Sequence, residues 1–264
     1  MSIINAIILG IIQGLTEFIP ISSSGHLVLF HQWLGVSHSG LAFDVALHSG
    51  TLLALLIFFR KDLLRLSKSV FIGGKDRKLA VLLAIATIPA VIVGYLLESS
   101  AESTFRSVRL VAVNLLIVAF IMLFAERYSA KQKNKTLLDD VRPKQAIAIG
   151  LAQAVAIIPG VSRSGSTIIT GLFVGMDRVA ATRFSFLLGI PITFGAIVKV
   201  FLSDSGLSEL SKQPNIFMVG VVSAFISGMF AITFLLKYLA KHTLDVFAYY
   251  RIGLALVVLL FSVL

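Results

Sequence analysis

The first group of residues able to do chemistry lies near the amino terminus. Gln13 and Glu17 are four residues apart, so they share one side of a helix, and the run Ser22-Ser23-Ser24-Gly25-His26 follows soon after them. A serine hydroxyl becomes a nucleophile when a neighbouring base takes its proton. A carboxylate and an imidazole flank these hydroxyls within one short segment. The pattern therefore predicts a nucleophile with its base, either His26 or Glu17.

The second group, later in the chain, has the chemistry of a phosphate clamp. Arg163 stands between Ser162 and Ser164 in the run Pro159-Gly160-Val161-Ser162-Arg163-Ser164-Gly165. The guanidinium group is planar and binds two phosphate oxygens at once. The free N–H groups at the start of a helix near Ser166 would also favour an anion. The alternative is a structural ion pair between Arg163 and Glu17.

The elements that hold these groups belong to a membrane protein. The chain is 57% hydrophobic and only 14% charged, with a mean hydropathy of +0.96. About 20 consecutive apolar residues span a bilayer as a helix, and Ile216–Leu236 contains no charged residue at all. With no cysteine, the chain has no disulfide and no thiol nucleophile. Nothing at the amino terminus resembles a cleaved signal peptide, because no basic region precedes Ile3–Ile12.

Six segments are predicted to span the membrane. They are 42–59, 79–97, 108–125, 182–202, 216–236 and 246–264. Two further apolar segments, 4–34 and 145–174, are interrupted by the serine-rich runs, and each half is too short to cross. Broken backbone at membrane depth is tolerated only inside protein or beside a wet cavity. We therefore predict an all-α integral membrane fold with six transmembrane helices and two re-entrant helix-loop-helix pairs.

The two interrupted segments match each other with an offset of 140 residues. Five identities align without a gap: Gly10, Gln13, Ser22, Ser24 and Gly25 with Gly150, Gln153, Ser162, Ser164 and Gly165. Each re-entrant pair is followed by three predicted spans, so the order of elements repeats as well. We predict one membrane domain over 1–264, with repeat 1 at about 1–125, repeat 2 at about 145–264, and a basic cytoplasmic loop 126–144 joining them.

The distribution of charge predicts the orientation of the two repeats. The formal net charge is +10, and 13 of the 23 Lys and Arg residues lie in Arg60–Lys78 and Glu126–Lys144. Such clusters between apolar segments are typical of cytoplasmic loops, so we reject nucleic acid as a partner. Three spans separate the repeats, an odd number, which inverts the second relative to the first. Inverted repeats with broken helices form a site where they meet.

Other charged residues are not expected to take part in the chemistry. Asp44, His48, Arg183 and Arg251 lie near the ends of predicted spans, where an interfacial position is usual. Lys199 can extend its side chain to the interface. His31 and His38 are expected to be interfacial or packed residues, and Arg60–Lys78 is expected to be a solvated cytoplasmic loop.

Both motifs strongly resemble those of the bacterial undecaprenyl-diphosphatase, or bacitracin-resistance protein, family. The resemblance rests on the segments 14–27 and 159–167 and extends over the whole chain in length and order of spans. It implies an enzyme that converts undecaprenyl pyrophosphate to undecaprenyl phosphate. That reaction recycles the lipid carrier of cell-wall synthesis and confers resistance to bacitracin, an antibiotic that sequesters the same pyrophosphate.

The resemblance also implies roles for individual residues. The family motif [E/Q]-x-x-x-E falls on Gln13 and Glu17, where this chain has glutamine in place of a first glutamate. A mechanism that needs two carboxylates on one metal ion is weakened by this difference. The predicted catalytic residues are Ser23, His26, Glu17 and Arg163. The predicted substrate-binding residues are Gln13, Ser22, Ser24, Ser162, Ser164 and Thr167.

The expected partners follow from this assignment. They are undecaprenyl pyrophosphate and membrane lipid, with a homodimer left open. A divalent cation, Mg²⁺ or Ca²⁺, is an open alternative for the cofactor. The expected location is the bacterial plasma membrane, with the active site opening to the outer face, because residues 1–41 contain no Lys or Arg.

A second class of function uses the same architecture. Inverted repeats with broken helices are also found in transporters, so a lipid-phosphate transporter or flippase is the alternative to a phosphatase. A carrier needs groups that bind phosphate, but it does not need a serine beside a base. Release of inorganic phosphate by purified protein separates these two hypotheses.

Overall fold

The structure, a computed structural model, describes residues 1–36, 41–74, 76–96 and 107–263. This part of the chain is helical throughout, with only one isolated β-bridge, between Thr136 and Met176. The predicted all-α fold class is therefore confirmed. The α-helices are α1 (Ile3–Phe18), α2 (Ser23–Trp33), α3 (Leu41–Phe58), α4 (Arg60–Ile72), α5 (Asp76–Leu96), α6 (Val108–Ala130), α7 (Pro143–Val155), α8 (Arg163–Phe173), α9 (Arg178–Phe201), α10 (Asp204–Lys212), α11 (Pro214–Leu239) and α12 (Asp245–Val263).

Four helices of the described residues, α5, α6, α9 and α11, are long and apolar enough to cross a membrane. A fifth crossing is added if α3 and α4, which meet at a bend of 75°, count as one broken span. The chain is therefore a multi-pass membrane protein. Within the described residues, all six predicted spans coincide with helices, namely these four together with α3 and α12. The layout of six spans and two re-entrant pairs stays a prediction.

Both interrupted segments fold as two helices with a break between them. The break between α1 and α2 contains Ser22, and the break between α7 and α8 contains Ser162. These are the only two residues other than glycine with positive φ in the described chain, at 76° and 79°. Each serine oxygen accepts a hydrogen bond from the backbone N–H three residues later, of Gly25 and Gly165 respectively. A side-chain cap of this kind stabilises the first turn of a helix.

Helices from the two halves of the chain pack against each other. Helix α1 lies along α11, and α7 lies along α5. Glycine is required at both contacts, since a Cβ at Gly10 would meet the carbonyl oxygen of Gly220 and one at Gly150 would meet that of Ala86. Helix α6 packs against α12, and α3 packs against α9. The broken helices of each half are thus held by the other half, while the predicted duplication itself stays a prediction.

The prediction that Arg60–Lys78 forms a loop is wrong. Its first part forms α4, which ends at Ile72 and is followed by Gly73 with φ 83°, and α5 already begins at Asp76. The sequence analysis did not predict this helix because α4 has almost no buried apolar face, since only Leu66 and Ser69 are buried. Most of the described residues in this segment are exposed, as those of a loop would be, and nine of its 19 residues are charged.

The predicted joining loop 126–144 is shorter than expected. Helix α6 continues to Ala130, and α7 begins at Pro143 with a short 3₁₀ helix, Leu138–Asp140, before it. The physical reason is Glu126, which is buried and accepts hydrogen bonds of 2.7–3.0 Å from Arg178 and one from the backbone of Leu244. Because these partners satisfy the buried carboxylate of Glu126, α6 can continue past residue 125 without exposing it to water. His38 and most of the loop 98–107 lie outside the described residues.

Candidate active site

The two breaks lie against each other, although about 140 residues separate them in the sequence. Gly25, in the first turn of α2, faces the Cα atom of Gly160. Gly165, in the first turn of α8, faces the carbonyl oxygen of Pro20. The first turns of two 11-residue helices therefore meet at one place. Helix N-termini favour anions, because their N–H groups are free and their dipoles are positive at that end.

Glu17 is the residue on which the predicted site converges. Its Oε2 atom accepts hydrogen bonds from Ser23 Oγ at 2.6 Å and from Gln13 Nε2 at 3.0 Å. Its Oε1 atom lies 2.5 Å from Arg163 Nη2. The carboxylate is 6% exposed. A buried carboxylate that holds a serine hydroxyl at this distance is placed to take its proton.

Arg163 occupies the place in α8 that Ser23 occupies in α2, the first residue after the capping serine. Besides its contact with Glu17, its Nη1 atom donates to Thr193 Oγ1 at 2.9 Å. Gly189 leaves room for the guanidinium group, because a Cβ there would contact it directly. The ion pair with Glu17 considered in the sequence analysis is therefore present. Arg163 is also the first residue of α8, and the free N–H groups at a helix N-terminus favour anions.

His26 does not reach the candidate nucleophile. Its Nδ1 atom lies 2.7 Å from the carbonyl oxygen of Ser22, and its Nε2 atom lies 2.8 Å from the hydroxyl of Tyr250. The rings of His26 and Tyr250 are also stacked at 5.7 Å. Both ring nitrogens are thus engaged away from the Ser23 hydroxyl. Of the two bases left open by the sequence, the geometry favours Glu17.

The remaining predicted substrate-binding residues fall into two groups. Ser22 and Ser24 have hydroxyls 3.4 Å apart, and Ser162 and Ser164 have hydroxyls 3.3 Å apart, each pair at its own break. Thr167 differs, because it is fully buried and its hydroxyl donates to the carbonyl of Arg163 and lies 2.6 Å from Ser185 Oγ. The Thr167 hydroxyl therefore supports the first turn of α8, and a contact with substrate stays a prediction.

Three residues beside the site were missed or set aside in the sequence. His48 lies 3.6 Å from Glu17 through its Nε2 atom, contrary to its expected interfacial position. Thr193 binds Arg163, and Tyr250 binds His26. A histidine within an apolar helix was a usable signal for His48. Thr193 and Tyr250 carry no local signal, since their partners are distant in sequence.

Arg251 corrects the sequence analysis most clearly. It was expected at the membrane interface, but its side chain is completely buried. Its guanidinium group donates to the carbonyl of Pro20 in the first break and to those of Gly160 and Val161 in the second. It therefore ties the two breaks together. The sequence analysis missed this role because Arg251 lies near the end of a predicted span, where charged side chains usually reach the interface.

Asp44 and Arg183 each pair with a side chain on a neighbouring helix. Asp44 is buried and lies 2.6 Å from His31, which is itself a packed residue, as expected. Arg183 donates to Asp62 on α4 at 2.9 Å and lies over the ring of Phe59. Both pairs connect neighbouring helices, and neither contacts Glu17.

The side chains around Glu17 were compared with those that hold a divalent cation in proteins. No group of three or more His, Asp or Glu side chains able to hold a metal occurs among the residues described. The amide oxygen of Gln13 is nevertheless buried without a hydrogen-bond partner. Buried polar atoms normally have a hydrogen-bond partner, so this oxygen is available to a water molecule, an ion or a ligand. One carboxylate and one amide oxygen fit a Mg²⁺ ion only when phosphate oxygens complete its shell.

The amino-acid sequence is similar to those of a known protein family. The family model for the bacitracin resistance protein BacA matches residues 6–257. Undecaprenyl-diphosphatase of Desulforudis audaxviator is 45% identical to this chain, and the alignment covers 100% of this chain and 99% of the relative. The enzymes of that name from Gemmatimonas aurantiaca and Thermodesulfovibrio yellowstonii are 43% and 45% identical. Those alignments cover 98% and 97% of this chain and 97% and 96% of the relatives.

Proposed function

This chain belongs to the bacitracin resistance protein BacA family, and from that premise we propose that its site hydrolyses undecaprenyl pyrophosphate. The products are undecaprenyl phosphate and inorganic phosphate. The relatives that carry the name undecaprenyl-diphosphatase match this chain over nearly their whole length. The observation that carries the proposal is the contact of one carboxylate, Glu17, with both Ser23 and Arg163. A single phosphoryl group could therefore contact the proposed nucleophile Ser23, the proposed base Glu17 and the proposed phosphate-binding Arg163 together.

In the first step, Ser23 Oγ attacks the terminal phosphorus of the pyrophosphate. The bond from that phosphorus to the bridging oxygen breaks, and undecaprenyl phosphate leaves. Glu17 takes the serine proton, which its 2.6 Å hydrogen bond to Ser23 supports. Glu17 then passes this proton to the oxygen of the departing undecaprenyl phosphate and is ionised again. Water attacks the phosphorus of the phosphoserine, and Glu17 takes a proton from that water and returns it to Ser23 Oγ as the bond from phosphorus to the serine oxygen breaks, which releases inorganic phosphate.

Arg163 neutralises charge on the transferring phosphoryl oxygens in this proposal. Its ion pair with Glu17 holds the guanidinium at the site before substrate arrives. Thr193 and Gly189 fix its direction, the first through a hydrogen bond and the second by leaving space. Fixed donors aimed at developing charge supply most of the acceleration in phosphoryl transfer. The N–H groups at the starts of α2 and α8 add to the same positive field.

His26 has a positioning role in this mechanism. It lies between the carbonyl of Ser22 and the hydroxyl of Tyr250, and so it holds the first turn of α2 against α12. That turn carries Ser23. His48, at 3.6 Å from Glu17, adds a further hydrogen-bonding group beside the base.

A divalent cation remains part of the proposal. Glu17 and the amide oxygen of Gln13 would hold it together with phosphate oxygens. Bound there, it would supply neutralisation of phosphate charge. Arg163 supplies the same effect from the opposite side of the carboxylate.

We place the protein in the bacterial plasma membrane, with the site opening to the outer face. The support is charge: α4 carries Arg60, Lys61, Arg65 and Lys68, whereas residues 1–36 carry no Lys or Arg. Cysteines introduced by Ser67→Cys on α4 and Ser208→Cys on α10 test this in a chain without native cysteine. In intact spheroplasts, an impermeant thiol reagent should label the α10 variant and not the α4 variant. The reverse result would place the site on the cytoplasmic face.

Membrane lipid and a second copy of this chain are further proposed partners. The exposed apolar face of α11, which includes Ile226 and Phe230, supports contact with lipid or with another copy. The mass of the protein in detergent, corrected for bound detergent, decides whether a homodimer forms. A monomeric mass at all concentrations removes that partner.

Phosphate release from a prenyl pyrophosphate by the purified protein in detergent tests the proposed activity. A flippase alone would release none, because moving a lipid between leaflets breaks no bond to phosphorus. Under single-turnover conditions, mass spectrometry should also detect one added phosphate on the peptide that contains Ser23. Turnover without phosphoserine, together with full activity of Ser23→Ala, would assign the attack to water instead.

A further inference from the structure

Helix α4 presents an outward face on which large apolar and basic side chains alternate. Leu64, Phe71 and Ile72 are 60%, 88% and 83% exposed. Lys61 and Lys68, one heptad apart, are exposed on the same side of the helix. No protein element covers this face in the part of the chain that the structure describes. A soluble surface seldom exposes three such side chains together, so the face calls for a partner.

The acidic residues around α4 are turned away from that face. Asp62 accepts hydrogen bonds from Arg183 on α9. Asp76 lies 3.4 Å from Arg65, and Asp139 lies 3.5 Å from the same guanidinium. Among the described residues, no ion pair involves Lys61 or Lys68. The outward face is therefore positive as well as apolar.

The direction of α4 places this face beside a bilayer. Helix α3 ends at Phe58 with an unbroken apolar run over residues 52–58, and α4 leaves it at a bend of 75°. A helix that turns this sharply at the end of a membrane-embedded segment runs along the membrane surface. The basic side chains can reach the head groups while Leu64 and Phe71 enter the acyl region.

We propose that α4 is an interfacial helix that binds anionic phospholipid head groups. Charge complementarity selects this occupant: Arg60, Lys61, Arg65 and Lys68 against Asp62 give the helix a net charge of +3. The short helix α10, which also lies between two long apolar helices, carries Asp204 and Glu209 against Lys212, a net charge of −1. Basic amphipathic helices are attracted to anionic lipid, whereas acidic ones are not.

Fluorescence quenching by labelled lipid tests the proposal. The full-length protein is reconstituted with an environment-sensitive fluorophore at Ser67→Cys on α4, or at Ser208→Cys on α10 as the matched control. Vesicles of phosphatidylcholine contain the same mole fraction of nitroxide-labelled phosphatidylglycerol or nitroxide-labelled phosphatidylcholine. We expect the anionic quencher to act on the α4 probe with about twice the efficiency of the zwitterionic one, because each basic residue near the surface attracts anionic lipid. The α10 probe should show no such preference.

The double variant Lys61→Gln/Lys68→Gln provides the decisive comparison. It keeps Leu64 and Phe71 but lowers the net charge of α4 from +3 to +1, so quenching of the α4 probe should persist while the preference for the anionic lipid falls. Equal quenching by both lipids in the unmodified helix would overturn the anionic selectivity. Quenching by aqueous iodide but by neither lipid would overturn the interfacial position and leave a soluble partner as the occupant.

Discussion

Replacing Arg163 by lysine keeps the positive charge at the second break but removes the planar fork. In the structure, the two terminal nitrogens of Arg163 have separate partners, Glu17 through Nη2 and Thr193 through Nη1. The single ammonium group of a lysine can keep only one of these directions. The substitution therefore separates the effect of charge from the effect of geometry.

The size of the loss follows from the hydrogen bonds that lysine cannot form. A hydrogen bond to a charged group contributes about 1.5–3 kcal/mol, and about 1.4 kcal/mol corresponds to a tenfold change in rate. Loss of one of two bonds to the transferring phosphoryl group thus lowers kcat by about 10- to 150-fold. Removal of a single fixed donor in other enzymes has effects of about 10²–10³-fold. We expect a loss of about 100-fold in kcat for Arg163→Lys.

Initial rates of phosphate release in detergent measure this effect. Arg183→Lys is the matched control, because Arg183 contacts Asp62 through one terminal nitrogen, a contact that an ammonium group can replace. Gly189→Ala should also lower kcat, since its Cβ would displace the guanidinium of Arg163 without removing it. If Arg163→Lys turns over within about threefold of the unmodified enzyme, the guanidinium does not bind the reacting phosphate in two places. Its role would then be the ion pair with Glu17 alone.

Three further substitutions test other parts of the site. Ser23→Ala should abolish turnover while substrate still binds, as measured by phosphate release and by equilibrium binding of a prenyl pyrophosphate; an inactive Ser24→Ala beside an active Ser23→Ala would move the nucleophile. Gln13→Glu should increase the dependence of the rate on Mg²⁺ if positions 13 and 17 share a cation, because hard cations prefer charged oxygens; an unchanged Mg²⁺ titration would leave Gln13 as a hydrogen-bond donor to Glu17 only. Arg251→Lys should lower the temperature of half-inactivation by about 6–12 °C, since loop carbonyls lose donors at a cost of about 3 kcal/mol; thermal inactivation in detergent that matches the unmodified protein would contradict its role in joining the breaks.

The sequence by itself determined the class of protein and the chemistry of its loops. Long apolar segments predict membrane helices because a bilayer can contain only backbone that is hydrogen-bonded internally. Serine and glycine in the two runs predict where these helices break. The four-residue spacing of Gln13 and Glu17 predicts their contact, and the structure has it at 3.0 Å. Each of these conclusions depends on neighbours along one segment.

The sequence missed helix α4 and the buried pair of Glu126 and Arg178 for a common reason. Charged segments look alike in sequence whether they are solvated or packed. Arg178 lies 52 residues from Glu126, and only packing brings them together. Once it is paired with Arg178, the carboxylate of Glu126 can be buried, and α6 continues through this position to Ala130.

Only the tertiary structure shows which side chain contacts the Ser23 hydroxyl and what Arg251 contacts. Ser23, Glu17 and His26 are all close in sequence, but His26 is drawn to Tyr250, which is 224 residues away, and Glu17 is joined to Arg163, which is 146 residues away. Arg251 ends in the interior because unpaired carbonyls at both breaks accept its hydrogen bonds. Spacing along a helix fixes which side chains share a face. The partners across the molecule depend on how α1, α8 and α12 pack, which no local pattern contains.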